Sequence, residues 1–523
     1  MKKITILILA MVVALATPLL SYAQYFQRLI DFDSTYDWGF DIIRQSSGNL
    51  FVIGSSNYYG APVFTTMTTL NADGTIVVNK KWLKANNDDE YVSKPGSYSQ
   101  TFDGNYIIPL GIQQSSPFRS SAAMAKITPI GDTLFVKRYT DTSVNFDGVF
   151  CSAITGNNRY MIAGFRENDT IPNSFIGLVI CTDSLGDTLW AKTYQKSGLP
   201  CQVTSIVSLP NGGAVLGAIV MIYYVTPVTA YYYSLNVPWF ITIDSLGNIV
   251  KDTVYDGPYG GGGILGNTIY KDANGGYFQT AELSYIYTDY PDDVNNFPDY
   301  IAHLDTNFRM TWFLELQYDT AIGHRLPWQV KQLDDGNILL VGDDALFYAP
   351  SDVGWMAKVS ATTGELLWTH QYFSDSSNWS YLRDAVELPN HNIIAVGKSY
   401  NDTLPPWHVP IGDIWLVGVD SNGCEIAGCG PDTSLLGVVQ PAQVATEIKL
   451  YPNPTTGTFT LQCPIDGALL LYAPDGRMAA QYTIHPGANE QQLPQSLSPG
   501  IYMGVFRPAD GSPQKTVRLV YEP

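Results

Sequence analysis

Residues 202–255 read QVTSIVSLPNGGAVLGAIVMIYYVTPVTAYYYSLNVPWFITIDSLGNIVKDTVY. Turn formers cut this stretch into four extended runs. Residues 202–209 are rich in β-branched side chains and stop at Pro210-Asn211-Gly212-Gly213. Residues 214–220 are apolar, 240–244 end on Asp244, and Ser245-Leu246-Gly247 leads into 248–255. Runs of this length and composition, bounded by Gly, Asn, Asp and Pro, are strands joined by tight turns. Four antiparallel strands, here lettered a to d, make one blade-like sheet. Such a sheet leaves an apolar face open, so it must stack on copies of itself.

The copies are present. A tight turn followed by a short apolar run occurs at Asn49, Asn105, Arg159, Gly213, Gly276, Asn337 and Asn392, in steps of 56, 54, 54, 63, 61 and 55 residues. The run ends on Gly at Gly54, Gly111, Gly164, Gly217, Gly342 and Gly397, whereas the fifth unit has Thr280. A second turn, clearest at Asp183-Ser184-Leu185-Gly186, Asp244-Ser245-Leu246-Gly247 and Asp420-Ser421-Asn422-Gly423, sits between strands c and d. In the fifth unit it reads Asp305-Thr306-Asn307-Phe308, without Gly. Seven units imply an all-β, seven-bladed β-propeller. The seventh unit has no good strand d after Gly423, while Tyr25-Phe26-Gln27-Arg28-Leu29-Ile30 has no blade of its own. The N-terminal strand is therefore expected to complete blade seven and to hide two sheet edges.

The expected organisation is a signal peptide (1–23), a propeller (24–430), a linker (431–446) and a small β-sandwich-like domain (447–523). Lys2 and Lys3, the apolar run 4–20 and the small residues before Gln24 carry the signal-peptide reading. No later stretch is apolar for long enough to span a bilayer, so no transmembrane segment is expected in the mature chain. The net charge of -19 argues against nucleic acid, which needs a basic stripe to displace counterions. A monomer is expected. Export places the six Cys in an oxidising setting. Cys424 and Cys429 are close enough for a local disulfide, and pairing among Cys151, Cys181 and Cys201 is left open.

Residues 447–523 resemble the type A C-terminal sorting domain of the type IX (Por) secretion system of Bacteroidetes-like bacteria. The resemblance rests on Tyr451-Pro452-Asn453-Pro454 with Gly457, on Asp475-Gly476-Arg477, on Ser498-Pro499-Gly500-Ile501-Tyr502 and on the basic-apolar finish 515–520. It implies export to the periplasm, outer-membrane passage guided by this tail, and removal of the tail, with release or attachment at the cell surface. The secretion machinery is the implied partner.

No catalytic constellation is legible. The D-x-x-G turns have one residue more between Asp and Gly than sialidase-type Asp-boxes, and turn geometry alone explains them: Asp accepts backbone N–H groups and Gly takes φ > 0. Residues 363–368, ending in Trp368, resemble the tryptophan-docking motif of quinoprotein propellers only once, and Trp368 reads as blade packing. No cofactor or metal is expected; oxygen-rich loops could take calcium, but nothing in the sequence supports a site. The acidic clusters Asp88-Asp89-Glu90, Asp292-Asp293 and Asp343-Asp344 match no calcium loop. The a–b and c–d turns share one face of the ring, so length variation falls on the other. That loop face receives Tyr223, Tyr224, Tyr231, Tyr232 and Tyr233 from blade four, Tyr285, Tyr287 and Tyr290 from blade five, and Trp407 from blade seven. Amphipathic aromatics there suit a glycan or protein ligand, and equally suit packing of the loops. The expectation is a surface or secreted binding or adhesion module; the alternatives are a polysaccharide-acting hydrolase or lyase and a structural surface-layer component.

Overall fold

The computed structural model describes residues 26–32, 36–57, 64–82, 89–92, 98–115, 118–139, 147–168, 174–225, 232–254, 268–282, 299–316, 324–345, 352–374, 379–401, 411–425, 449–463, 465–473, 477–494, 497–509 and 515–522. The chain divides into two compact units, Met1–Gln440 and Pro441–Pro523.

The first unit is a seven-bladed propeller of antiparallel meanders. Blade four runs Cys201–Ser208, Ala214–Val225, Tyr232–Ile243 and Ile249–Val254. Its strands b and c are longer than the sequence reading placed them, pairing as far as Val225 and Tyr232. Strand-favouring aliphatic and aromatic residues continue through 221–225 and, with Ser234 and Asn236 between them, through 232–237. The innermost strands are Tyr36–Arg44, the broken pair Asp89–Val92 and Ser99–Gln100, then Asp147–Ile154, Cys201–Ser208, Thr268–Lys271, His324–Gln332 and Trp379–Glu387.

The strand-b glycines have a common cause. In blades one, three, six and seven the innermost strand bulges, and a Cβ at Gly54, Gly164, Gly342 or Gly397 would lie 1.7–2.1 Å from a carbonyl oxygen of that strand. Blade five has Thr280 and its innermost strand pairs without a register shift. In these blades a bulge goes with glycine, and the blade without the bulge does without the glycine; Gly111 of blade two instead pairs with Tyr91 in regular register.

The c–d turns have two jobs. Within the turn, Asp183 Oδ1 accepts from the N–H groups of Leu185 and Asp187, and Asp244 and Asp420 repeat the pattern. These bonds, the one from Asn248 foremost, hold the Asp244 carboxyl below its usual range. Between most blades, the turn glycine receives a ring from strand d of the preceding blade; at Gly131 of blade two Met67 takes that place. A Cβ at Gly186, Gly247, Gly364 or Gly423 would meet Phe135, Trp190, Trp312 or Trp368 at 2.6–2.8 Å, His370 sharing the contact at Gly423. The indoles also donate to the turn backbone: Trp190 to Ser245 O at 3.1 Å, Trp312 to Ala361 O at 3.0 Å and Trp368 to Ser421 O at 3.3 Å. Docking by Trp therefore recurs at three joints rather than at Trp368 alone. Blade five inverts the joint. Phe308 occupies the glycine position at φ 62°, and the preceding strand d offers Lys251, whose ammonium lies 4.9 Å from the Phe308 ring centroid.

Closure is as expected. Phe26–Ile30 pairs antiparallel with Ile411–Val419 from Phe26↔Gly418 to Ile30↔Ile414. The Phe26 ring docks against Gly74 of blade one, as the other strand-d rings dock on theirs. Arg28 donates to Gly74 O at 2.6 Å, and Gln27 accepts from the Trp415 indole at 3.1 Å. A single parallel bridge, Tyr36↔Gly412, further joins blades seven and one.

The second unit stacks Lys449–Tyr451, Thr458–Cys463 and Gly487–Gln492 in one sheet. Its other sheet holds Gly467–Tyr472, Met478–Ile484, Gly500–Pro508 and Lys515–Tyr521. Phe459, Leu461, Leu469, Leu471, Tyr502, Phe506 and Leu519 fill the core. Asn453 clips the Tyr451–Pro454 segment to the final strand, donating to Arg518 O at 2.7 Å and accepting from Val520 N–H at 2.8 Å. Tyr451 is exposed, Tyr502 is buried with its hydroxyl on Ser498 O, Gly457 holds φ 136°, and Gly500 ends a loop at φ 158°. Gly476 lies outside the described residues.

Candidate binding site

The inner wall is built by the bulges. Each throws one side chain out of register: Phe40, Phe150, Thr204, Trp328 and Arg383 in blades one, three, four, six and seven. The residues that follow are Asp41, Cys151, Ser205, Gln329 and Asp384, all buried. Two of them staple neighbouring blades. Ser205 Oγ accepts from Ile269 N–H at 2.9 Å, and Asp384 Oδ2 accepts from Ile42 N–H at 3.0 Å.

Inside this wall lies a cavity of about 510 Å³, lined by the innermost strands of blades two to six. Its lining mixes hydroxyl and amide side chains, such as Ser99, Gln100, Ser152, Thr204, Ser205, Ser208, Tyr270, Gln329 and Gln332, and the cations Lys271 and Lys331, with about as much apolar surface from residues such as Phe150, Ile154, Ile206 and Val330. Lys331 bonds Asp384 Oδ1 at 3.0 Å and lies 5.8 Å from the Tyr98 ring. Burial opposes charge on both partners and raises the Asp384 pKa. For Lys331 burial is the largest single influence and opposes charge, but Asp384, Tyr98 and Asp41 together outweigh it and raise its pKa, so the ammonium stays protonated. Burial also pushes the Tyr98 and Tyr270 hydroxyls up.

At the loop-side end of blades six, seven and one, half-buried rings gather: Tyr36, Trp38 and Phe40 from blade one, Trp328 from blade six, and Trp379, Tyr381 and Tyr400 from blade seven. Tyr36, Trp38 and Phe40 alternate along one strand start, so they share a face. The rings enclose two cations. Arg383 lies 3.7 Å from the Trp328 centroid and 5.3 Å from that of Tyr381, and pairs with Asp343 at 3.4 Å. Lys398, fully buried on strand b of blade seven, has its ammonium nitrogen 3.5 Å from the Tyr36 centroid, 3.9 Å from Tyr400 and 4.0 Å from Trp38. It also donates to the Tyr36 hydroxyl. Burial, then Arg383, pushes the Lys398 pKa down to about 6, while the ring faces attract the cation.

Of the residues the sequence singled out, Tyr223, Tyr224, Tyr232 and Tyr233 stand in the extended b–c hairpin of blade four, with Tyr224 opposite Tyr233. Tyr231, Tyr285, Tyr287, Tyr290 and Trp407 lie outside the described residues. Asp343 and Asp344 are buried ion-pair partners of Arg383 and Arg325. Cys424 is disulfide-bonded, while its expected partner Cys429 is outside the described residues. Cys151, Cys181, Cys201 and Cys463 are buried free thiols, and burial drives Cys181 up to about 11. Cys151, Cys181 and Cys201 share one core cluster between blades three and four. In sequence, each mouth aromatic reads as an ordinary strand residue. The signal was alternation of rings, Tyr36-x-Trp38-x-Phe40 and Trp379-x-Tyr381, at the start of two innermost strands.

No family model and no curated protein matches the chain. Among solved structures it is similar to a protein of unknown function from Dyadobacter fermentans (9% identity over 75% of this chain and 98% of that chain, TM-score 0.43). It is also similar to the β-propeller domain of the Trilobed protease from Pyrococcus furiosus (9%, 73% and 93%, TM-score 0.39). A third likeness is to PorZ, a surface component of the type IX secretion system of Porphyromonas gingivalis (9%, 95% and 100%, TM-score 0.18).

Proposed function

We propose that this chain is an exported glycan-binding propeller whose ligand enters at the loop-side mouth of blades six, seven and one. The observation that carries the reading is the set of half-buried rings on strand ends there, next to an inner wall of blades two to six where hydroxyl and amide side chains alternate with apolar ones. Sugar rings present C–H faces that stack on aromatics and hydroxyls that pair with amide and hydroxyl side chains. Rings held by strands are pre-positioned, so little ordering cost falls on binding. Export is supported by the apolar leader after Lys2-Lys3 and by the tail's resemblance to a sorting domain. Truncation at Glu447 is then expected to leave the protein in the periplasm, and normal secretion of the truncated chain would refute the sorting role.

The test of the binding reading is a glycan array probed with the propeller, followed by a turnover assay on each hit. Retained, uncleaved ligands support it. Release of reducing ends or of unsaturated products would replace it with the hydrolase or lyase reading. A blank array together with self-assembly would replace it with a structural one.

A further inference from the structure

Buried cations in this propeller have anionic partners. Arg166 meets Asp147 at 2.9 Å, Arg325 meets Asp344 at 3.2 Å, Lys126 meets Asp103 at 2.7 Å and Arg383 meets Asp343 at 3.4 Å. Lys398 is the exception: it is 1% exposed, and no carboxylate contacts its nitrogen among the described residues. Its surroundings are the Tyr36, Trp38, Tyr381 and Tyr400 rings and, as the nearest charge, another cation. A buried amine without a counter-ion is costly unless something supplies one or the proton leaves. Tyr36, Trp38 and Tyr400, which cover it, are themselves half-buried and reach solvent.

We propose that Lys398 is the anion-recognition point of the mouth, and that its missing counter-ion is a carboxylate carried by the ligand, a uronic-acid-bearing oligosaccharide. This rests on the glycan-binding reading and adds the ligand's charge class to it. The aromatic rings take the sugar faces, and Lys398 takes the carboxylate after one ring turns aside. The unliganded amine gives up its proton above about pH 6, and a bound carboxylate restores it, so binding above that pH takes up a proton. The charged and titratable groups around Lys398 are Arg383, with Asp343 and Asp352 behind it, and the Tyr36, Tyr381 and Tyr400 hydroxyls, Tyr381 being bonded to Asp352. Burial holds the Tyr381 hydroxyl far above its usual range.

The experiment is calorimetric titration of the full chain with a uronate hexasaccharide, a neutral hexasaccharide and polyglutamate, at pH 5.5 and 8, in buffers of different ionisation heat. The expected result is uronate affinity falling about tenfold for each pH unit above the Lys398 midpoint, with buffer-dependent proton uptake. The neutral sugar should show neither, and K398M should abolish the uronate pH dependence. The proton-uptake arm needs only the wild-type chain, so it stands even where K398M folds poorly. If the neutral sugar binds but uronate shows no preference and no proton uptake, the inference falls and the glycan reading survives. If polyglutamate shows the same dependence and uronate does not, the ligand is an acidic peptide and the inference falls. If nothing binds, both fall.

Discussion

At the outer rim, Trp190 lies on Gly247 and gives its N–H to Ser245 of the next blade. At the loop-side mouth, Trp38 instead lies against two basic side chains, 4.0 Å from the Lys398 nitrogen and 5.8 Å from Arg383. Both rings are half-buried, but the rim ring is spent on joining blades, whereas the mouth ring packs against basic side chains. Aromatic content alone therefore says little about function; what each ring faces says much. The rim is also redundant, with one joint per blade, whereas the mouth occurs once, on blades six, seven and one.

The largest effect on the rim side is expected from the strand that closes it. Removing residues 24–30 strips blade seven of its outer strand and exposes two edges. Thermal unfolding should move down cooperatively, with near-UV circular dichroism lost in the same transition; an unchanged melt would mean that the pairing from Phe26 to Ile30 contributes nothing. Next comes the inner wall. Asp384→Ala leaves Lys331 buried without its partner and frees Ile42 N–H, which costs about 3–5 kcal/mol by the usual behaviour of broken buried pairs. Chemical denaturation should show it, and a loss below about 1 kcal/mol would demote the pair to a surface contact.

The inverted joint of blade five sharpens the comparison further. Phe308→Gly and Lys251→Trp should each destabilise by about 1–3 kcal/mol, the first by a lost ring and the second by overpacking. The double variant should recover much of this by rebuilding the Trp-on-Gly joint used elsewhere. Strictly additive losses would show that the two positions are not one joint.

A smaller effect is expected at the seam of blades seven and one. Burial first, then Asp31 and Asp37, raises the Asp413 pKa from 3.8 to about 6. The folded state then holds a proton that the unfolded chain has lost, so this contribution is full below pH 3.8 and disappears as pH rises through 6. Asp413→Asn should flatten that stretch of the stability profile, and a profile of unchanged slope would contradict the shift.

Legibility in the sequence followed locality. The blade count, the turns and the closing role of Tyr25 to Ile30 could be read because each depends on residues within a few positions or on an odd strand left over. The strand-b glycines and the Thr280 exception were visible as pattern, but their cause, a bulge in a partner strand, was not. Lys251 and Phe308 compensate across 57 residues, and no local rule links them. The mouth stayed hidden for the same reason: Tyr36 and Trp38 meet Lys398 only after the ring has closed, more than 350 residues apart in the chain.

The most direct test of the central claim sets the mouth against the blade-four hairpin. Oligosaccharide affinity should be measured for the wild-type chain, for Trp38→Ala with Tyr381→Ala, and for Tyr232→Ala with Tyr233→Ala, with the melting temperature of each. The account predicts at least about a tenfold loss of affinity in the mouth variant, on the scale of ring stacking, and near-wild-type binding in the hairpin variant. Full affinity in a folded mouth variant, or loss confined to the hairpin variant, would contradict it.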